Sequence, residues 1–138
     1  MKFSEIDESK WIELKPYLDT VLLPITGMSG DESPVEATVC LEQLRDIMDL
    51  VEIPFYGRLV TYPALHYYIH NRIEMESHIK AVCQQLKEQG FKHVILISAK
   101  RHAYVTCDMA DLWIMPEEDG QFPTQEALSE QIMNIWQR

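Results

Sequence analysis

His66, His70, Glu74 and His78 follow one another at intervals of four. On an unbroken helix this spacing would set four potential metal ligands along one side. At 3.6 residues per turn each step of four drifts by about 40°, so neighbouring pairs could share an ion but all four could not converge on one. Asn71, with Glu74 three positions on, also reads as a helix start, which would break the row between His70 and Glu74. The His-x-x-x-His pair lacks the glutamate of the H-E-x-x-H pattern. Soluble surface or aromatic packing suits these histidines and Tyr67 and Tyr68 better, and no metal or other cofactor is expected.

Two other stretches could do chemistry. Thr26 to Ser33 holds Gly27, Ser29 and Gly30 ahead of a helix start. Free backbone N–H groups there could hold an anion, although Asp31 and Glu32 place negative charge where a phosphate would sit. The segment is neither a Walker loop nor G-x-G-x-x-G. Ser98-Ala-Lys-Arg-His102 carries the densest positive charge of the chain. Together with Arg58, the side chains of Ser98, Lys100, Arg101 and His102 could bind a carboxylate or phosphate. Ser29, Ser33 and Ser98 have no G-x-S-x-G elbow around them, so no catalytic residue is assigned.

These stretches need a scaffold, and the apolar pattern supplies one. Asp7 can cap a short helix through about Lys15. Thr20 to Ile25 is an apolar run suited to a strand buried on both faces. Ser33, Pro34 and Glu36 form a capping box for a helix to about Asp49. Val51 to Phe55 is a second strand candidate, and Leu59 to Tyr62 a short edge strand. A helix from Asn71 stops at Gly90. His93 to Ser98 and Asp111 to Met115 are further strands, Ala103 to Cys107 a short strand or loop, and Thr124 caps a last helix.

Alternating helices and strands predict an α/β fold: a three-layer α/β/α sandwich with a mainly parallel sheet of four or five strands, in an order resembling the flavodoxin type. The 138 residues suit one domain. In such a sheet ligands sit beyond the carboxyl ends of the strands. That rule gathers Thr26–Ser33, Tyr56–Arg58, Ser98–His102 and Glu117–Gln121 onto one expected rim.

Apolar residues make up 46% of the chain and charged ones 25%, with a formal net charge of −10. Without concentrated positive charge, neither nucleic acid nor an anionic membrane surface is an expected partner. No stretch approaches the roughly 20 apolar residues of a membrane span, and the acidic N-terminus lacks a hydrophobic signal core. A cytoplasmic protein is expected. Cys40, Cys83 and Cys107 are far apart and form no Cys-x-x-Cys pair, so Cys40 and Cys83 read as buried, inert thiols.

The Trp11 segment, Asp19-Thr-Val-Leu-Leu-Pro-Ile25, Val51-Glu-Ile-Pro-Phe-Tyr-Gly57 and Leu86-Lys-Glu-Gln-Gly-Phe-Lys-His-Val-Ile-Leu96 resemble the YpiF-like family of small uncharacterised bacterial proteins. The resemblance covers nearly the whole chain and implies no established activity. A more distant likeness is to creatininase-type amidohydrolases, over about the first hundred residues. Where those enzymes carry metal-binding residues after the first and third strands, this chain reads Ile-Thr-Gly-Met-Ser-Gly-Asp-Glu and Ile-Ser-Ala-Lys-Arg-His, which implies that the metal chemistry is gone.

With no catalytic constellation, the first expectation is a non-catalytic domain that binds a protein partner or itself. Tyr62, Leu65 and Tyr68, in the aromatic stretch from Phe55 to Tyr68, would supply the surface. The alternative is a small-molecule enzyme or sensor holding an anionic ligand on the rim through Gly27, Ser29, Arg58, Ser98, Lys100, Arg101 and His102.

Overall fold

The computed structural model describes residues 1–137. Helices and strands alternate as α1 (Glu8–Leu14), β1 (Thr20–Met28), α2 (Pro34–Glu52), β2 (Leu59–Thr61), β3 (Leu65–Tyr67), α3 (Arg72–Glu88), β4 (His93–Ile97), β5 (Leu112–Ile114) and α4 (Gln125–Trp136). Each helix start is chemically marked. Asp7, Ser33, Asn71 and Thr124 each accept a backbone N–H three positions on, and Ser33 and Glu36 close a reciprocal capping box.

All strand pairs are parallel, and the order is β2-β1-β4-β5. β3 lies beside the far half of β1, on from β2 along the same edge. Counting only strands separated by helices, this is the start of the flavodoxin-type order. Alternate residues of β1 and β4 face opposite layers. Val21, Leu23, Ile25, Val94 and Leu96 pack with α3 and, at its margin, Trp11 and Leu14 of α1. Leu22, Ile95 and Ile97 pack with α2 and α4. The result is the expected three-layer sandwich with five strands. Among the described residues no helix is long and apolar enough to cross a membrane.

Two local expectations change, and a third holds. Val51 to Phe55 is not a strand: α2 continues through Glu52 and the chain then turns. Val51 extends the buried series Leu44, Ile47 and Met48, so the helix runs three residues further than expected, to Glu52, and Pro54 follows the helix rather than ending a strand. β1 in turn runs to Met28, through the expected loop residues Thr26 and Gly27. Gly27 does this at φ +79°. Finally, the histidine row is broken as the Asn71 cap implied. His66 lies on β3, His70 precedes α3, and only Glu74 and His78 share a helix.

Candidate functional site

The chain leaves the carboxyl end of β1 towards α2, on one face of the sheet. Beyond β4 it passes to the other face, where Ala103 and Val105 join the α3 core. The two exits diverge at neighbouring strands, and the crevice between them is the topological switch point at which open α/β sheets hold ligands. A cleft of about 440 Å³ lies there.

Its walls come from three places. The end of β1 brings Gly27 and the turn after it Ser29, Asp31 and Glu32; the first turns of α2 bring Val35, Glu36, Val39, Cys40 and Gln43; Lys100, His102 and Tyr68 close it. Gly27 lets the segment after β4 come close. A Cβ there would lie 3.2 Å from the Ala103 Cβ and 3.5 Å from His102 Nε2. His102 Nε2 is 3.0 Å from the Gly27 carbonyl oxygen. A carbonyl can only accept, so Nε2 carries the proton and Nδ1 of the neutral ring has a lone pair. The Tyr68 ring packs against His102 at 5.4 Å between centroids, tilted by 60°, and the Tyr68 backbone N–H donates to the Met28 carbonyl oxygen at 3.0 Å.

The charge in the cleft is mixed. Glu32 accepts the N–H groups of Ser29, at 3.0 Å, and Gly30, at 2.9 Å. These bonds hold its carboxyl below the usual range. The donors that could have cradled a phosphate are therefore taken by the chain's own carboxylate. The Ser29 hydroxyl donates to Asp31, and Glu36 accepts the Ser33 N–H. Lys100 is the single lysine on the wall, with Nζ 3.5 Å from Gln43 Oε1.

Of the residues proposed from sequence, Gly27, Ser29, Lys100 and His102 meet in this cleft. Ser98 is buried beneath it, its hydroxyl accepting the Lys100 N–H at 3.1 Å. Arg101 turns towards β5 and donates to the Pro116 carbonyl oxygen at 2.6 Å. Arg58 corrects the expected rim. It precedes β2, whose first residue pairs with Thr20, so it sits at the amino end of the sheet. Arg58, Lys100, Arg101 and His102 therefore do not converge. Tyr62, Leu65 and Tyr68 are half-buried against the α3 core. The α2 wall was missed because a face made of Glu36, Val39, Cys40 and Gln43 has meaning only once the helix is docked.

Arg58 has a structural task instead. It forms a two-pronged ion pair with Asp19, at 3.0 and 3.2 Å, and lies 4.1 Å over the Trp136 ring. Trp136 donates to Thr20, and Thr20 to Asp19, each at 2.9 Å. This ring of contacts ties the end of α4 to the start of β1. Burial pushes the Asp19 carboxyl up, but the Arg58 and Thr20 hydrogen bonds outweigh it and hold it below its ordinary value. Its contribution to stability is therefore complete above about pH 4–5 and fades as pH falls through the lowered value. Urea unfolding should find Asp19→Asn less stable than the wild type at pH 7, with the gap narrowing as pH falls towards about 3.

The thiols follow burial. Cys83 is fully buried and Cys107 only partly. Burial, with the Cys107 thiol beside it, pushes the Cys83 thiol up to about 12. A water-soluble maleimide should label Cys107 in the native protein and reach Cys83 only after unfolding, which peptide mass spectrometry would read directly.

His66 Nδ1 is 2.9 Å from the buried Thr26 hydroxyl, and His70 packs against Tyr68 at 5.0 Å between centroids, tilted by 57°. Among the described residues no group of three or more His, Cys, Asp or Glu is placed to hold a metal ion.

Comparison with curated proteins and with solved structures gives no significant match, so the likeness to creatininase-type enzymes rests on its sequence echo alone. The family model described as "Protein of unknown function (DUF2487)" matches residues 9–135. That match spans all five strands and all of the cleft, and the chain belongs to this family.

Proposed function

We propose that the protein is a small-ligand-binding domain of the sensor type, with its site in the cleft between the ends of β1 and β4. The observation that carries this reading is the cleft itself, at the switch point, with apolar, aromatic and charged side chains facing one space. The anionic ligand of the alternative sequence reading gives way here to an amine-bearing one, zwitterionic or cationic. Asp31, Glu32 and Glu36 stand against the single Lys100, and Glu32 already fills the anion-binding N–H groups. In this reading the carboxylates receive an ammonium group. Lys100 meets a carboxylate, the bare Nδ1 of His102 accepts from a hydroxyl or ammonium group, and Val35, Val39 and Tyr68 cover the apolar part.

Native mass spectrometry of untagged protein, purified without chelator, tests this. The expected spectrum has a mass surplus that is lost on denaturation and is absent from a Val39→Trp variant whose cleft is filled. A bare mass for the wild type, both as purified and after incubation with a panel of amino acids and biogenic amines, would count against the reading.

A further inference from the structure

Between β4 and β5 the chain crosses the outer side of α3. Val105, Cys107 and Met109 lie at alternate positions of this crossing, and all three pack into the core beneath α3. Met75, Ile79, Cys83 and Leu86 form the buried face of the helix. Two ion pairs hold helix and crossing in register. Lys80 Nζ is 3.6 Å from Asp108 and Lys87 Nζ is 3.2 Å from Asp111. Asp111 also accepts the Val94 N–H at 2.8 Å, which ties that end to β4. Lys80, Cys83 and Lys87 are spaced i, i+3, i+7, so Cys83 sits on α3 between the two clamped points.

The Cys107 thiol lies against the Cys83 thiol, and the two differ in access. Cys83 is fully buried, while Cys107 is partly exposed beside a surface turn. This is the arrangement of a thiol that meets an oxidant first with a second, sheltered thiol behind it.

We infer that Cys83 and Cys107 form a peroxide-responsive dithiol, whose reversible disulfide staples the β4–β5 crossing to α3. The Cys107 thiolate attacks the O–O bond of hydrogen peroxide, giving a sulfenic acid and hydroxide. The Cys83 sulfur then displaces the sulfenic hydroxyl: an S–S bond forms, the S–O bond breaks, and the hydroxyl leaves with the Cys83 proton as water. Over both steps the thiols give up two protons and two electrons, and the peroxide becomes two waters. Burial keeps Cys83 protonated, so it does not react first; an external dithiol reverses the bond by exchange.

The test treats the native full chain with an equimolar amount of hydrogen peroxide, alkylates it in denaturant and maps the peptides by mass spectrometry. The expected product is a linked Cys83–Cys107 peptide that dithiothreitol returns to two thiols. Cys40, buried on α2, should be alkylated throughout. Cys83→Ala should stop Cys107 at the sulfenic acid, trapped by dimedone. Cys107→Ser should leave Cys83 reduced at the same dose, with folding of both variants checked by circular dichroism. Thiols that stay unreacted in the wild type, Cys107 passing to the sulfinic acid without a linkage, or a linkage to Cys40 or between two chains would each overturn the inference. So would equal oxidation of Cys83 in a folded Cys107→Ser variant.

Discussion

Ile97→Ala should destabilise the protein by about 2–5 kcal/mol, the range for emptying a well-packed aliphatic site. Ile97 is fully buried, with β1 on one side and β5 on the other: it pairs with Pro24 and Ile114. Its side chain belongs to the layer that α2 and α4 cover. The central strands are fixed by two neighbours and two helical layers, so the hole cannot collapse cheaply. Domains of this size are stable by only about 5–15 kcal/mol, so the loss is a large share of the total. Urea unfolding should show a lower midpoint with little change in slope. The surface variant Val35→Ala, at a position 74% exposed, should stay within about 0.5 kcal/mol of the wild type.

The second large effect is at Gly27, and Gly30 provides its control. Both have positive φ, +79° and +101°, so alanine at either strains the backbone by about 1–3 kcal/mol. They differ in their surroundings. A Cβ at Gly30 meets nothing within 4 Å, whereas at Gly27 it presses on the Ala103 Cβ at 3.2 Å. Gly27→Ala should therefore cost more than Gly30→Ala, and the excess measures the contact between β1 and the segment after β4. It should also loosen the bond from His102 to the Gly27 carbonyl, opening one wall of the cleft. Equal losses in the two variants would mean that the close approach at Gly27 contributes nothing.

Much of the framework was legible because its signals are local. A capping side chain acts within one turn, so Asp7, Ser33, Asn71 and Thr124 could be read without tertiary knowledge. The apolar runs from Thr20 and from His93 were equally plain, since central parallel strands are covered on both faces. Val51 to Phe55 misled because a short run with Val, Ile and Pro fits both a strand and a helix end. The phase of the preceding helix, continued to Val51, was the better guide. Arg58 misled for the same reason: with Val51 to Phe55 taken as a strand, it fell on the wrong end of the sheet. Lys100 and His102 could be placed beside the end of β1 because strand-end position is a topological rule. Glu32 was seen only as an obstacle to phosphate. Its role as the acceptor for Ser29 and Gly30 depends on the shape of a turn, which residue types do not specify.

The proposed site is tested most directly by ¹H–¹⁵N correlation spectra of the uniformly labelled protein, titrated with amino acids and biogenic amines. The expected result is saturable shifts grouped at Gly27, Ser29, Gly30, Tyr68 and His102, with the amino-end ring of Asp19, Arg58 and Trp136 unmoved. Spectra unchanged across the panel, or saturable shifts that avoid those five amides, would contradict a ligand site at the ends of β1 and β4.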